Sequence, residues 1–171
     1  MQNVIITGAD GFVGSYTTEY FLPQGVKVLA LDMGKTPNRL KVHPLLTYRC
    51  CDITDTAALE AAVPAGVYDT FIHFAWAGSA GPARVDYQLQ MGNALNTVAC
   101  LKTAKKLGCS RFICAGSIME YEVEAAVHSQ GSRPGMGYIY GMGKHIAHCM
   151  CKSVAADIGI DLIWPMITNA Y

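Results

Sequence analysis

Short apolar runs alternate along the chain with longer stretches in which apolar residues recur every three or four positions. That alternation predicts a parallel sheet with crossover helices. Runs rich in Val, Ile, Leu and Phe mark strands at Asn3–Thr7, Lys27–Leu31, Leu46–Cys50, Asp69–Phe74, Arg111–Ala115 and Asp161–Trp164. Most are nearly continuous, as expected of strands covered by helices on both faces. The longer stretches predict helices over Phe12–Leu22, Ala57–Val63, Asp86–Leu107 and Tyr138–Ile158. Thr54 and Asp55 stand where an N-cap belongs, and Gly25, Gly108 and Gly159 follow helices where a left-handed terminator belongs. The stretch Glu122–Gly137, rich in Gly, Ser and Pro, reads as an active-site loop.

Six strands in β-α alternation with right-handed crossovers give an α/β fold, a doubly wound parallel sheet of Rossmann type. The expected strand order is 3-2-1-4-5-6, in one domain over residues 1–171. In such a sheet the ligand lies beyond the carboxyl ends of the strands, near the switch between strands 1 and 4.

Composition narrows the classes. Hydrophobic residues make up 51% and charged residues 15% of the chain, which suits a globular protein with an apolar core. Lys+Arg and Asp+Glu are equal at 13 each, so no net field draws in nucleic acid or an anionic membrane surface. No run approaches the roughly 18 uncharged apolar residues that span a bilayer. The start, Met1-Gln2-Asn3-Val4, lacks the basic region of a signal peptide. Seven scattered cysteines read as free thiols of a reducing cytoplasm. His145, His148, Cys149 and Cys151 crowd one helix but do not share one of its faces, so no metal site is expected.

The chemistry starts after the first strand, in Thr7-Gly8-Ala9-Asp10-Gly11-Phe12-Val13-Gly14. Three glycines at intervals of three, between a strand and a helix, let a backbone turn tightly and approach a pyrophosphate closely. The helix that begins at Phe12 and Val13 offers unpaired N–H groups and a positive dipole end to the phosphates. Asp32 ends the second strand, where a carboxylate accepts ribose hydroxyls and repels a 2′-phosphate. NAD is therefore favoured, with NADP left open by Lys35 and Arg39 in the next loop.

At this point the chain resembles the extended short-chain dehydrogenase/reductase superfamily, in particular the NAD-dependent epimerase/dehydratase family acting on nucleotide sugars. The Thr-Gly-x-x-Gly-Phe-x-Gly spelling is typical of that family. Asp52 and Ile53, in Cys51-Asp52-Ile53-Thr54-Asp55, look like its segment after strand 3, whose aspartate contacts the adenine. His73-Phe74-Ala75 looks like its His-x-Ala segment lining the cofactor. Asn93 matches the helix asparagine of Asn-x-x-Gly-Thr, with Asn96 in place of the glycine. Tyr140-Gly141-Met142-Gly143-Lys144 matches the Tyr-x-x-x-Lys signature, and Ser117 matches the Ser/Thr that binds the substrate oxygen.

Four residues apart on a helix, Tyr140 and Lys144 share one face. A free phenol ionises near about pH 10, and a neighbouring ammonium favours phenolate. The resemblance implies that Tyr140 exchanges a proton with a sugar hydroxyl while hydride passes to or from nicotinamide, that Lys144 also holds the nicotinamide ribose, and that Ser117 steadies the reacting oxygen. It also implies a homodimer through the helices at 86–107 and 138–158. Ser117 is followed by Ile118-Met119 rather than the Asp-Glu pair of the family's dehydratases, which favours an epimerase or reductase. Glu120 reads equally as an extra acid and as an ordinary solvated or structural glutamate.

The last residues, Trp164-Pro165-Met166-Ile167-Thr168-Asn169-Ala170-Tyr171, look like the family's Arg-x-x-Asn-x-Tyr-Gly motif with Met166 for the arginine. The expectation is of a chain that stops where the family's substrate-binding part begins. The competing expectation is a dinucleotide sensor that kept the fold and lost the chemistry. Retention of Ser117, Tyr140 and Lys144 favours the enzyme.

Overall fold

The computed structural model describes residues 1–168, so the expected Asn169 and Tyr171 of the terminal motif lie outside the described residues. Six strands form one parallel sheet: β1 (Asn3–Thr7), β2 (Lys27–Asp32), β3 (Leu46–Cys50), β4 (Thr70–His73), β5 (Arg111–Cys114) and β7 (Asp161–Ile163). Their order is β3-β2-β1-β4-β5-β7, the doubly wound order the sequence predicts. Thr7 of β1 pairs with Leu31 on one side and His73 on the other, and His73 pairs with Cys114. All the carboxyl ends therefore lie along one edge.

Alternation along the central strands divides the core. Ile5, Leu29, Leu31, Phe71 and Phe112 join one buried cluster, and Val4, Ile6, Val28, Ala30 and Ile72 join the other. Successive side chains of a strand point to opposite faces, so a run apolar at every position must be covered twice. Helix α3 (Tyr87–Lys106), α5 (Tyr138–Ile158) and the short α2 (Thr56–Ala62) supply Leu101, Cys151 and Leu59 to the first cluster. The second cluster is closed by Leu22, just beyond α1 (Phe12–Phe21), and by Leu40.

The capping residues behave as their chemistry dictates. Asp55 accepts the N–H of Ala58 at 3.0 Å and starts α2, and Asp86 accepts that of Leu89 at 3.1 Å and starts α3. Gly159 ends α5 at φ +66°, a left-handed position open to glycine at no steric cost.

Two features depart from the sequence prediction. The stretch from Glu122 is not a loop throughout, because α4 occupies Met119–His128. Its Ala, Glu and Met are strong helix formers. Its buried residues, Glu120 and Val123, fall on one side. The Gly, Ser and Pro that suggested a loop lie after it, in 129–137. The second departure is a separate two-stranded parallel pair, β6 (Gly116–Ser117) with β8 (Met166–Ile167), set beyond the end of β5. It is too short to leave a periodic signature.

No described helix is long and apolar enough to cross a membrane.

Candidate active site

The carboxyl edge of the sheet opens into a cleft of about 630 Å³. Its walls bring together Gly8, Gly11, Phe12, Val13, Gly14, Asp32, Asp52, Ile53, Phe74, Ala75, Asn93, Ser117, Tyr140 and Lys144. These residues, singled out above as cofactor-binding or catalytic, thus line one cavity, while His73 does not. Lys35 and Arg39 are not among its lining residues, which weighs against the 2′-phosphate they were offered for.

The glycine turn is built by steric necessity. Gly8 holds φ +66°, and a Cβ there would stand 2.6 Å from the backbone nitrogen of Ala75. Gly14 sits so close to the Gly8 carbonyl that no side chain fits between α1 and the turn. Helix α1 then begins at Gly11 with no side-chain cap and no acidic residue in its first turn. Its leading N–H groups are left for a ligand, and an anion is the ligand they suit.

Asp32 faces this turn with both oxygens engaged: one accepts the N–H of Asp10 at 2.9 Å, the other that of Met33 at 2.8 Å. Asp52 accepts the N–H of Thr54 at 2.9 Å, ordering its own turn beside the cleft. Asn93 braces the segment after β4 rather than simply facing a ligand. It accepts from the Ala77 N–H at 3.1 Å and donates to the Ala77 carbonyl at 2.7 Å.

His73 stands apart from Phe74 and Ala75. It is buried beneath the cleft, with Nδ1 2.8 Å from the Thr7 hydroxyl and Nε2 3.1 Å from that of Thr97. Burial, helped by the Lys144 charge, pushes its pKa down to about 3, so the ring is neutral.

The far wall carries the tyrosine and lysine. Lys144 is only 4% exposed; its ammonium donates to the Ala115 carbonyl at 2.7 Å and lies 3.7 Å from the centre of the Trp76 ring. Burial lowers its pKa to about 8. Tyr140 is raised above the ordinary phenol value by burial, which the nearby Ser117 hydroxyl and the charge of Arg84 oppose only in part.

Here the sequence expectation needs correcting. The cation against Tyr140 is the guanidinium of Arg84, 4.1 Å from the ring centre, while Lys144 turns to Ala115 and Trp76. One residue placed on the same helix face four positions on does not fix where a long side chain points.

Several residues that shape the site gave no warning in the sequence. Gln90 is fully buried; its amide donates to the carbonyls of Gly78 and Ala83 and accepts the Trp76 indole N–H at 2.7 Å. It thereby holds the loop that carries Arg84 and the ring that faces Lys144. Glu120 is 1% exposed and accepts from the Ser117 N–H at 2.8 Å and the Trp164 indole at 3.0 Å, with His148 Nδ1 at 2.9 Å. It is therefore not the solvated glutamate the sequence also allowed, and its bonds suit a structural one. A single Gln or Glu inside a helical pattern reads as solvated, so only the tertiary contacts reveal these roles. His145, Cys149 and Cys151 do not join His148 at Glu120: Cys149 touches His145 at 3.7 Å on the surface, and Cys151 is in the core.

The sequence profile of the NAD dependent epimerase/dehydratase family matches residues 4–171. Among curated proteins, UDP-glucose 4-epimerase 1 of Oryza sativa subsp. japonica is 25% identical over 183 residues, covering 100% of this chain and 51% of that protein. Among solved structures, the UDP-glucose 4-epimerase of Bifidobacterium longum, in complex with NAD+ and UDP, superposes with a TM-score of 0.75 at 22% identity, covering 95% of this chain and 52% of that one. The Bordetella bronchiseptica enzyme WbmH, in complex with NAD+, gives a TM-score of 0.73 at 24% identity over 99% of this chain and 56% of that one. The likeness to these two structures is one of fold. The chain spans about half the length of the curated relatives it matches.

Proposed function

We propose that this chain, which belongs to the NAD dependent epimerase/dehydratase family, is the cofactor-binding and proton-transferring half of a nucleotide-sugar epimerase that uses NAD. The observation that carries the reading is that Ser117, Tyr140 and Lys144 line the same cleft as the glycine turn and Asp32. A ligand whose diphosphate lay on the start of α1 would share its cleft with the tyrosine. The curated relatives named as UDP-glucose 4-epimerases support a UDP-linked hexose as substrate.

The residues present fit the cofactor. The uncapped start of α1 offers N–H donors to a pyrophosphate, Asp32 keeps acceptor capacity toward ribose hydroxyls, and Asp52 and Ile53 border the adenine end. When bound, the nicotinamide supplies a reversible hydride acceptor, which lets a sugar carbon pass through a ketone.

The chain's own part is to move the accompanying proton. Tyr140 shares the cleft wall with Ser117 and lies under the Arg84 guanidinium. A substrate hydroxyl placed between the Ser117 and Tyr140 oxygens shares its proton with both, and the phenol oxygen is the site that takes it up and returns it. Arg84 favours the phenolate form against the cost of burial. Lys144, with its carbon stem packed inside and its ammonium at the cleft wall, orients donors toward a ribose.

A homodimer through α3 and α5 belongs to this reading. Tyr87, Met91 and Leu95 recur every four residues on α3 and are exposed in the single chain, which supports a partner there. The test of the function is substitution of Tyr140→Phe in the whole protein. Interconversion of UDP-glucose and UDP-galactose should be abolished while NADH binding, read by nicotinamide fluorescence, persists. Unchanged turnover would overturn the role of Tyr140.

A further inference from the structure

Asp10 lies inside the glycine turn, at a position where the turn itself demands no particular side chain. Its carboxylate nevertheless makes three hydrogen bonds, all to a segment about thirty residues on. One oxygen accepts the Asn38 N–H at 2.7 Å; the other accepts those of Arg39 at 2.8 Å and Leu40 at 3.2 Å. The Asp10 backbone N–H, in turn, donates to Asp32 at 2.9 Å. One residue therefore ties together the phosphate turn, the strand-end carboxylate and the loop that follows β2.

The consequence falls on the cations of that loop. With the backbone at 38–40 drawn against Asp10, the exposed Arg39 places its guanidinium 5.8 Å from the centre of the Phe12 ring. Asn38, Asp10 and Asp32 line the cleft, whereas Lys35 and Arg39 do not. A phosphate on the adenosine ribose would meet the carboxylates of Asp10 and Asp32, while the Arg39 guanidinium is engaged at Phe12. The three N–H groups that Asp10 caps are the kind of donors that a free loop could turn toward a phosphate.

We propose that Asp10 is a positioning residue for dinucleotide selection: by capping the N–H groups of residues 38–40 and bonding Asp32, it keeps Arg39 out of the ribose site and makes the site select NAD over NADP. This rests on the reading of the cleft as a dinucleotide site. Asp10 touches the reacting end of nothing; it acts through Asp32 and the loop.

The experiment is a titration of the purified chain with NADH and, separately, NADPH, followed by nicotinamide fluorescence. The unsubstituted chain should prefer NADH. Asp10→Ala should lower the ratio of the two affinities at least tenfold, through weaker NADH and stronger NADPH binding. Asp10→Asn, which keeps one acceptor oxygen, should fall between. Adding Arg39→Ala to Asp10→Ala should remove the gain toward NADPH. If Asp10→Ala weakens both dinucleotides equally, leaving the ratio within twofold, Asp10 merely stabilises the turn and the proposal is overturned. If the unsubstituted chain binds neither, the dinucleotide reading falls and takes the proposal with it.

Discussion

The carboxylate of Glu120 accepts the backbone N–H of Ser117 at 2.8 Å, so the strand-end serine is held from beneath by a residue three positions further on. The same carboxylate holds Trp164, in the link between β7 and β8, and His148, whose ring stacks on that indole with centres 4.7 Å apart. The packing leaves no slack, since a Cβ on Gly116 would collide with both the Trp164 ring and Glu120. Removing a buried, fully bonded carboxylate orphans every donor it served. Glu120→Ala should therefore cost about 2–4 kcal/mol of stability, against about 1 for Glu120→Gln. Urea denaturation checks this, with the exposed Glu124→Ala as reference. A Glu120→Ala midpoint equal to the reference would mean that Ser117 is held by something else.

Gly141, between Tyr140 and Lys144, is where two helices meet. A Cβ at Gly141 would stand 2.9 Å from both the Met119 carbonyl and a methyl of Val123, so α5 lies directly on α4 here. Backbone on one side cannot yield as a flexible side chain would. Gly141→Ala should destabilise the chain by about 1–3 kcal/mol and shift Tyr140 away from Ser117. Gly92→Ala is the control, because a Cβ there meets nothing. Equal thermal midpoints for the two variants would show that α4 retreats freely.

How much of this was legible beforehand follows from the range of each signal. The strand order could be read because Val4, Ile5 and Ile6, and likewise Val28 to Leu31, are apolar on both faces, and the glycine turn fixes where the first crossover begins. Gly8, Asp32, Ser117, Tyr140 and Lys144 meet in one cleft because parallel strands bring their carboxyl ends to one edge. Helix α4 was missed because the breakers at 129–137 lent their character to the helix formers before them. Gln90, Arg84 and Asp10 were missed because their partners, loop carbonyls, an aromatic ring and loop N–H groups, lie beyond the three- or four-residue reach of any helical spacing rule. The direction of the Lys144 side chain could not be read either, since a four-residue spacing sets a face and leaves the rotamer open.

Lys144 should give the cofactor affinity an alkaline limb. Burial brings its pKa down to about 8, well below the ordinary lysine value. It is mainly charged below that pH and neutral above it. Rising pH through about 8 therefore removes the ammonium that donates at the cleft wall, and NADH affinity should fall there. The fluorescence titration repeated from pH 6.5 to 9 reads it. Lys144→Met should bind more weakly at pH 7 and lose the limb. A wild-type affinity flat to pH 9 would place the ammonium in contact with water and not in the wall described above.

His73 should govern acid stability in the window above the carboxylates. Folded, its pKa is about 3 because burial disfavours the imidazolium; unfolded, it returns to about 6.5. Above pH 6.5 both states are neutral and the group has no pH-dependent effect. Between 6.5 and 3 the unfolded chain binds a proton that the folded chain refuses, so stability falls as pH falls. The slope well inside the window is at most about 1.4 kcal/mol per pH unit. Two carboxyls act at lower pH. Although partial burial pushes them up, Asp10 is carried below its ordinary value by the Asn38, Arg39 and Leu40 N–H groups, and Asp69 by the Thr70 hydroxyl and the Asn3 and Gln2 N–H groups. Their stabilisation is lost only as pH falls below about 4. Urea midpoints at pH 7, 5.5 and 4.5 separate the two regimes. His73→Asn should be less stable at pH 7, having lost packing between Thr7 and Thr97, yet show a shallower decline down to pH 4.5. Parallel declines for the two proteins would mean that His73 takes up its proton within the fold, and that the ring is not sealed between β1, β4 and α3.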